Sequence, residues 1–523
     1  MIDTVALREK VLDLAIRGKL VPQDPNDEPA SVLLERIRAQ KQQMVKDGKL
    51  KAKDIKDDSI IFIGEDNLHY EKFADGTVEC IEDKIPFDLP DGWSWTRLGS
   101  ISSAIQYGLS NSAEQTGTHR LLRITDIQDG KVNWETVPFT TVDEPDTYLL
   151  AKGDIVFART GATVGKSFLI GETPYPSVYA SYLIRIRLLD DILPEYIYQF
   201  FNSQCYWDQI TDKSVGVGQP NCNGTSLKEL LIPLPPKNEQ IKIIPSARSA
   251  IEYVVNIEAQ KELLQEDIIS VKAKILDLAI RGKLVPQNPN DEPASVLLER
   301  IRAEKEELIK QGKIKRDKKE SVIFKGEDNS YYHNYENKVS RIDEDLPFEI
   351  PSNWEWCNLS MIGTTNIGLT YRPEDIVDDG TMVLRSSNII NGKIDLTDLV
   401  RVNTNIRDNQ YMEENDILIC ARNGSKALVG KCAIFSGIQE KASFGAFMAV
   451  YRTQFYKYVY YFLNSNTFRS TFNNDDTKQI NQLTQDMIKN ALIPIPPLSE
   501  QQRIVETIES VCAYLDEIAN SLN

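Results

Sequence analysis

The sequence predicts an α+β chain. Two β-rich, mixed α/β domains are separated by long, antiparallel, coiled-coil-like helices, and an internal pseudo-twofold repeat is circular. Three observations carry this. First, Lys10–Lys41 (KVLDLAIRGKLVPQDPNDEPASVLLERIRAQK) recurs 264 residues later as Lys274–Lys305, and only three of the 32 positions differ: Val11/Ile275, Asp24/Asn288 and Gln40/Glu304. Second, the segments that follow the two copies agree in skeleton but not in detail. Third, the helical pattern after Gln240 runs through Tyr253 and Leu263 into the second copy. The pattern after Gln501, with Ile504, Ile508, Tyr514 and Ile518, ends at Asn523, and the N-terminus supplies the other half of that unit.

In chain order, Thr4 to Arg17 reads as an amphipathic helix with Leu7, Val11, Leu14 and Ala15 on one stripe. Gly18 stops it, and Pro22 and Pro25 prevent its restart. Pro29 sits in the first turn of a second helix, Ala30 to about Lys46. A charged linker leads to a short strand at Ile60–Ile63. From about Lys84 the texture becomes β-rich. Pro86 to Pro90 and then Trp93 and Trp95 read as an extended lead-in, with both Trp on one strand face and in the core. Strands are expected at Leu121–Ile127, Asp154–Ala158 and Tyr182–Leu188, and a helix at Glu195–Asn202. Ile232-Pro-Leu-Pro-Pro236 closes the segment.

The second half answers each element: Pro347 to Pro351 with Trp354 and Trp356, Leu384–Ile389 for Leu122–Ile127, and Asp416–Arg422 for Asp154–Arg159 with one inserted residue. Ile493-Pro-Ile-Pro-Pro497 and then Glu500-Gln501 match Ile232 to Pro236 and then Glu239-Gln240. A helix from Glu239 to Arg281 would span on the order of 65 Å at 1.5 Å per residue. It is expected to act as a spacer and to pair antiparallel with the terminal helix.

Composition excludes several classes. A chain of 523 residues exceeds one core, and 41% hydrophobic with 26% charged residues is ordinary for a soluble protein. The N-terminus lacks a signal-peptide core and no apolar run reaches the length of a membrane span, so a cytoplasmic location and no membrane partner are expected. Seven scattered cysteines without a CxxC pair fit reduced thiols. Three distant histidines offer no metal constellation. A net charge of −17 argues against an autonomous, tight DNA binder, but a basic groove can coexist with acidic helices.

Gly161-Ala-Thr-Val-Gly165-Lys166-Ser167 has three residues between its glycines, where a phosphate-binding loop needs four. Neither a methyltransferase tetrapeptide nor a repeated nuclease-like carboxylate set is present, so no catalytic residues and no bound cofactor are expected on this chain. What recurs is an Arg after a short strand, opening a turn that ends in Val-Gly-Lys: Arg159–Lys166 and Arg422–Lys431. Guanidinium, backbone N–H groups and small polar side chains suit phosphates and base edges. The plain alternative is that glycine makes the turn and Arg pairs with a carboxylate. One frame with altered contents favours reading two different sequences. The candidates in the first half are Tyr107, Ser110, Arg123, Thr125, Arg159, Thr160, Gly161, Thr163, Lys166, Gln219 and Asn221. Those in the second are Tyr371, Arg372, Arg385, Ser386, Asn388, Arg422, Asn423, Ser425, Lys426, Lys431, Gln479 and Asn481.

Taken together, the circular repeat, the Trp lead-ins, the Arg–Gly…Gly-Lys frames and the Pro-Pro…Glu-Gln closings resemble the DNA specificity subunit of type I restriction–modification systems. The resemblance implies two target-recognition domains, residues 84–236 and 346–497, each reading one half of a bipartite double-stranded DNA site. Residues 1–83, 237–345 and 498–523 would supply the spacer helices. These would dock two adenine-methyltransferase subunits, which carry the S-adenosylmethionine, and the assembly can recruit restriction–translocation subunits. The long N-terminal block with Ala30–Lys46 and Ser59–Cys80 stands as a departure from a simpler specificity subunit. The competing expectation is a non-catalytic scaffold or decoy that sequesters the methyltransferase.

Overall fold

The computed structural model describes residues 2–128, 130–213, 222–312, 321–335, 338–473 and 482–522. It divides into two units, Ile2–Lys261 and Glu262–Asn523, each built from the same parts.

In the first unit, helix Thr4–Ile16 ends at Gly18, whose positive φ of 67° and closeness to Pro90 and Trp93 leave no room for a Cβ. Gly282 repeats this against Pro351 and Trp354 in the second unit. Each repeat copy is thereby seated on its own Trp lead-in. Arg17 stacks over Phe87 at 4.2 Å and Arg281 over Phe348 at 4.4 Å. The buried stripe of the first helix is Thr4, Leu12, Ala15 and Ile16; Leu7 is exposed, one position round from the expected face. Pro29 caps helix Ala30–Lys46 from just outside its first turn.

A three-stranded antiparallel meander follows: Ser59–Ile63, His69–Phe73 and Val78–Cys80. The second unit has its own, at Ser321–Lys325, Tyr331–Tyr335 and Lys338–Arg341, after helix Ala294–Lys310. The added block Ala30–Cys80 therefore has a counterpart in the second unit. The period-2 signal in the second copy is diluted by polar residues (Tyr331 to Tyr335 reads YYHNY), so the sequence hid it.

In both units the lead-in strand pairs with the closing strand, Ser94–Arg97 with Leu231–Leu234 and Glu355–Asn358 with Leu492–Ile495. Trp95 stands opposite Pro233, and Trp356 opposite Pro494. All four Trp are buried as expected, but not on one face: Trp354 joins the main core while Trp356 packs with Ile323, Tyr331 and Ile342 beneath the meander. Between lead-in and closing lie two sheets. In the first unit a four-stranded antiparallel sheet runs Ser167–Leu169, Ile155–Ala158, Leu183–Leu188, Ser102–Tyr107. A smaller sheet pairs His119–Leu122 parallel to Ser177–Tyr179. The expected strand Leu121–Ile127 ends at Leu122, because Asp126 captures the Arg123 backbone N–H at 2.8 Å and folds a short 3-10 turn, Ile124–Asp126. Ser386–Asn388 turns in the same way after Leu384.

Helix Lys237–Ile280 is continuous through Pro245. Within the first unit its early part lies antiparallel to the N-terminal helix: Asn238 meets Asp27 and Glu258 meets Arg8 at 2.8 Å. Within the second unit its later part and the repeat that follows meet helix Leu498–Leu522. Lys272 faces Asp516, while Asp291 faces Arg503. The antiparallel pairing expected with the terminal helix thus occurs, and the N-terminal helix makes its counterpart. No described helix is long and apolar enough to cross a membrane.

Candidate nucleic-acid interface

In each unit, the seam between the two sheets is built by the same backbone hydrogen bonds. Leu109 N–H donates to Tyr179 at 2.8 Å and Leu369 N–H to Phe444 at 2.7 Å; Ala180 donates to Leu122, and Gly445 to Leu384. Gly108 and Gly368 start these crossings, and a Cβ on either would lie 2.3 Å or less from a carbonyl oxygen. Four loop tips are brought to one place: the segment after Gly108 or Gly368, the turn after Leu122 or Leu384, the Arg–Gly loop, and the turn Ala180–Leu183 or Gly445–Met448.

The Arg–Gly loops are closed alike. Ala158 donates to Lys166 and accepts from Gly165, while Cys420 donates to Lys431 and accepts from Gly430. The two arginines are nevertheless not equivalent. Arg159 N–H donates to Tyr182 at 3.1 Å and its carbonyl accepts from Cys222; in the second unit both Ala421 and Arg422 N–H donate to Phe447, but it is the Ala421 carbonyl that accepts, from Leu483. The inserted residue therefore places Arg422 one step further along, at the register of Thr160. Arg159 is half-buried, its guanidinium 4.7 Å over the Tyr107 ring and its Nε buried with no hydrogen-bond partner among the described residues. Arg422 is exposed and lies 5.6 Å over Phe447. Among the described residues neither Arg pairs with a carboxylate, so the plain alternative does not account for them.

It does account for Arg123 and Arg385, and for Arg372 beside Glu374. Arg123 forks onto Asp126 at 2.7 and 3.1 Å, which raises its pKa, and Arg385 holds Asp398 at 2.8 Å. Asn388 departs from expectation: it is buried, accepts from Arg385 N–H and donates to the carbonyls of Asp395 and Asp398. It is a turn residue, because every polar atom is used internally. Lys431 likewise donates to the Ile389 carbonyl at 2.9 Å, whereas Lys166 is exposed.

The second unit opens a cavity of about 1100 Å³ at this seam. It gathers five of the expected residues, Tyr371, Arg385, Ser386, Arg422 and Asn423, and Asn423 donates to Ser386 at 3.2 Å. Arg372, Asn388, Ser425, Lys426 and Lys431 are not among its lining residues; Ser425 and Lys426 form the exposed loop tip, and Arg372 reaches Glu374. Ser387, beside Ser386 on the same polar tip, also lines it, as do Thr370, Phe447 and Gln482, which escaped the sequence reading. Their signal was present: Gly-Leu-Ser110 recurs as Gly-Leu-Thr370, and Tyr179-x-x-Tyr182 as Phe444-x-x-Phe447. In the first unit Tyr107 accepts from Gly224 N–H at 2.9 Å, Gly161 and Thr163 bound a short 3-10 turn beside Thr160, and Ser110 and Thr125 are exposed. Gln219, Asn221, Gln479 and Asn481 lie outside the described residues.

The second repeated surface is helical. In both copies the second helix buries Leu33 or Leu297 and exposes Val32, Glu35 and Arg36, or Val296, Glu299 and Arg300. Burial does not constrain these exposed positions, yet they are identical. Further apolar side chains stand exposed on the long and terminal helices, including Tyr253, Leu263, Ile269 and Tyr514.

The family model for the type I restriction modification DNA specificity domain matches residues 90–263 and 351–523. The chain belongs to the type I restriction–modification DNA specificity family. It is similar to the type I restriction enzyme EcoAI specificity subunit of Escherichia coli, with 28% identity over 97% of this chain and 88% of that protein. The EcoEI specificity subunit of the same species shows 27% identity over 99% and 90%. A chain from a solved structure on complex assembly and conformational transition of the type I R-M system shares the fold. It covers 84% of this chain and 94% of its own length with a TM-score of 0.50 at 17% identity. The chain is thus a DNA-specificity subunit rather than an enzyme; catalysis in such systems belongs to partner subunits. The decoy alternative finds no support in these relatives.

Proposed function

We propose that this specificity subunit reads a bipartite double-stranded DNA site, one half with residues 84–236 and the other with 346–497. Each of the two repeated helical surfaces docks one methyltransferase subunit, and S-adenosylmethionine is carried there, not on this chain. Restriction–translocation subunits join the same assembly, which works in the cytoplasm. The carrying observation is the contrast between near-identical exposed residues on the repeat and divergent side chains on one shared loop frame. Two equal surfaces fit two equal partners, and two unequal tips fit two unequal half-sites. With a net charge of −17, the phosphate grip would come largely from the partner chains.

Direct contact falls to the seam residues. In the second domain Arg422, Asn423, Ser386 and Gln482 offer guanidinium, amide and hydroxyl groups at one opening, the chemistry of major-groove edges. In the first, Thr160, Thr125, Ser110 and Lys166 offer shorter groups. The test is to co-express the chain with its methyltransferase and map methylated adenines across a DNA library. A two-part motif with an unspecified gap is the expected result; a stable complex that methylates nothing would refute the reading.

A further inference from the structure

What the two seams share at their solvent face is an aromatic ring, not an arginine. Tyr182 and Phe447 occupy the same backbone position: each follows the parallel strand of the small sheet, in a turn closed by Leu183 N–H to Ala180 or Met448 N–H to Gly445. Each carbonyl accepts the backbone bond that begins the Arg–Gly loop. Both side chains are left out in solvent, 63% and 61% exposed, and neither belongs to a buried cluster. Packing therefore does not explain them. Among the described residues the Tyr182 hydroxyl has no hydrogen-bond partner. Phe447 lines the cavity and carries Arg422 over its ring.

We infer that Tyr182 and Phe447 are specificity-determining residues, each placing its ring against base edges in its own half-site. This rests on the bipartite reading above. A ring beside groups that hydrogen-bond base edges supplies the apolar half of direct readout, contact with a thymine methyl or a base face. The two differ by one hydroxyl. Tyr182 adds a donor and acceptor where Phe447 has only carbon, so the first domain discriminates polar base edges at a position where the second selects an apolar one.

The test uses the full chain in complex with its methyltransferase. Duplexes carry the mapped motif and its single-base substitutions, and a segment exchange of 346–497 with a relative serves as control. Phe447→Ala is expected to weaken binding at least tenfold, to relax discrimination at one base pair of one half-site, and to leave the salt slope unchanged because no charge is removed. Tyr182→Phe is expected to shift preference at one base pair of the other half-site. If Phe447→Ala does not assemble, Phe447→Tyr keeps the ring and should redirect preference at the same base pair. Unchanged affinity and base preference in assembled variants, with the segment exchange still altering half of the motif, would overturn the inference and leave the bipartite reading standing. An exchange that alters neither half would overturn both.

Discussion

Trp93 donates its indole N–H to Glu239 at 2.9 Å, a buried bond across 146 residues. It ties the lead-in of the first recognition domain to the first turn of the long helix. The neighbouring Gln240 fixes the same junction, accepting from Leu193 N–H and donating to the Pro235 carbonyl. In the second unit Glu500 accepts from Gln287, a repeat residue, at 2.6 Å, and Gln501 donates to Pro496.

Burial raises the pKa of both Glu239 and Glu500 above the ordinary 4.5. Below that value the carboxyl is protonated in folded and unfolded chains alike, and no stability is lost. Above the raised folded value it is charged in both, and the folded chain bears the desolvation penalty. Stability therefore falls as pH rises through this window. Glu239→Gln and Glu500→Gln keep an acceptor for the indole or amide and remove the charge. Thermal melts should show the variants gaining on the parent as pH rises through that window and matching it in acid; a gain confined to acid would reverse the assignment.

A second charged pair recurs with its geometry intact. Arg187 forks onto Asp154 with both bonds at 2.7 Å, and Arg452 forks onto Asp416 likewise. Both carboxylates are buried and also hold the preceding turn, through Ala151 N–H and Glu413 N–H. Removing one partner of such a pair strands a charge in the interior. Arg187→Ala should destabilise the first domain by about 2–4 kcal/mol, since the arginine itself is partly solvated. Hydrogen exchange of strand Ile155–Ala158 is the readout, with strand Asp416–Cys420 as the unaffected control.

Much of this architecture was legible beforehand. Helix Ala30–Lys46 followed from proline and glycine punctuation, the long helix from the helical pattern that runs past Gln240 into the second repeat, and the closing segments from repeated Ile-Pro-x-Pro-Pro. The site was legible only as loops. Arg159 and Arg422 aligned in sequence, but one inserted residue moves a side chain along the backbone register, and it is the bonds from Cys222 to Arg159 and from Leu483 to Ala421 that reveal it. Asn388 read as an exposed amide because its acceptors, Asp395 and Asp398, come from a loop whose path the sequence does not state. Tyr182 reads as the first residue of a strand and Phe447 falls in no expected element, and the exposure of both is a property of the finished fold.

Gly108 and Gly368 give a steric prediction. A Cβ at Gly108 would sit 2.3 Å from the Tyr179 carbonyl oxygen, and at Gly368 2.2 Å from that of Phe444. Backbone, not a movable side chain, is in the way. Gly108→Ala should force the crossing apart and abolish recognition of one half-site, while Gly48→Ala, with nothing within 4 Å, leaves methylation intact apart from the positive-φ strain there. Methylation mapping of both variants reports this; normal bipartite methylation by Gly108→Ala would show that the crossing can open to admit a Cβ.

The unequal register of the two arginines predicts unequal phenotypes. Arg422 is exposed in the cavity, so Arg422→Ala should cost about 1–3 kcal/mol of discrimination at the second half-site. If Arg422 instead meets a phosphate, the salt slope should fall by about one. Arg159 lies half-buried on Tyr107, and its removal uncovers that ring and the bond from Gly224 N–H to the Tyr107 hydroxyl. Arg159→Ala should therefore act mainly through loop order: weaker binding at the first half-site, slight loss of base discrimination, and faster exchange at Gly224. Arg159→Lys, which keeps the charge but loses the planar stack, should resemble the alanine variant. Binding isotherms on duplexes altered in one half-site separate the two cases, and equal loss of discrimination from both alanine variants would show that the inserted residue does not matter to readout.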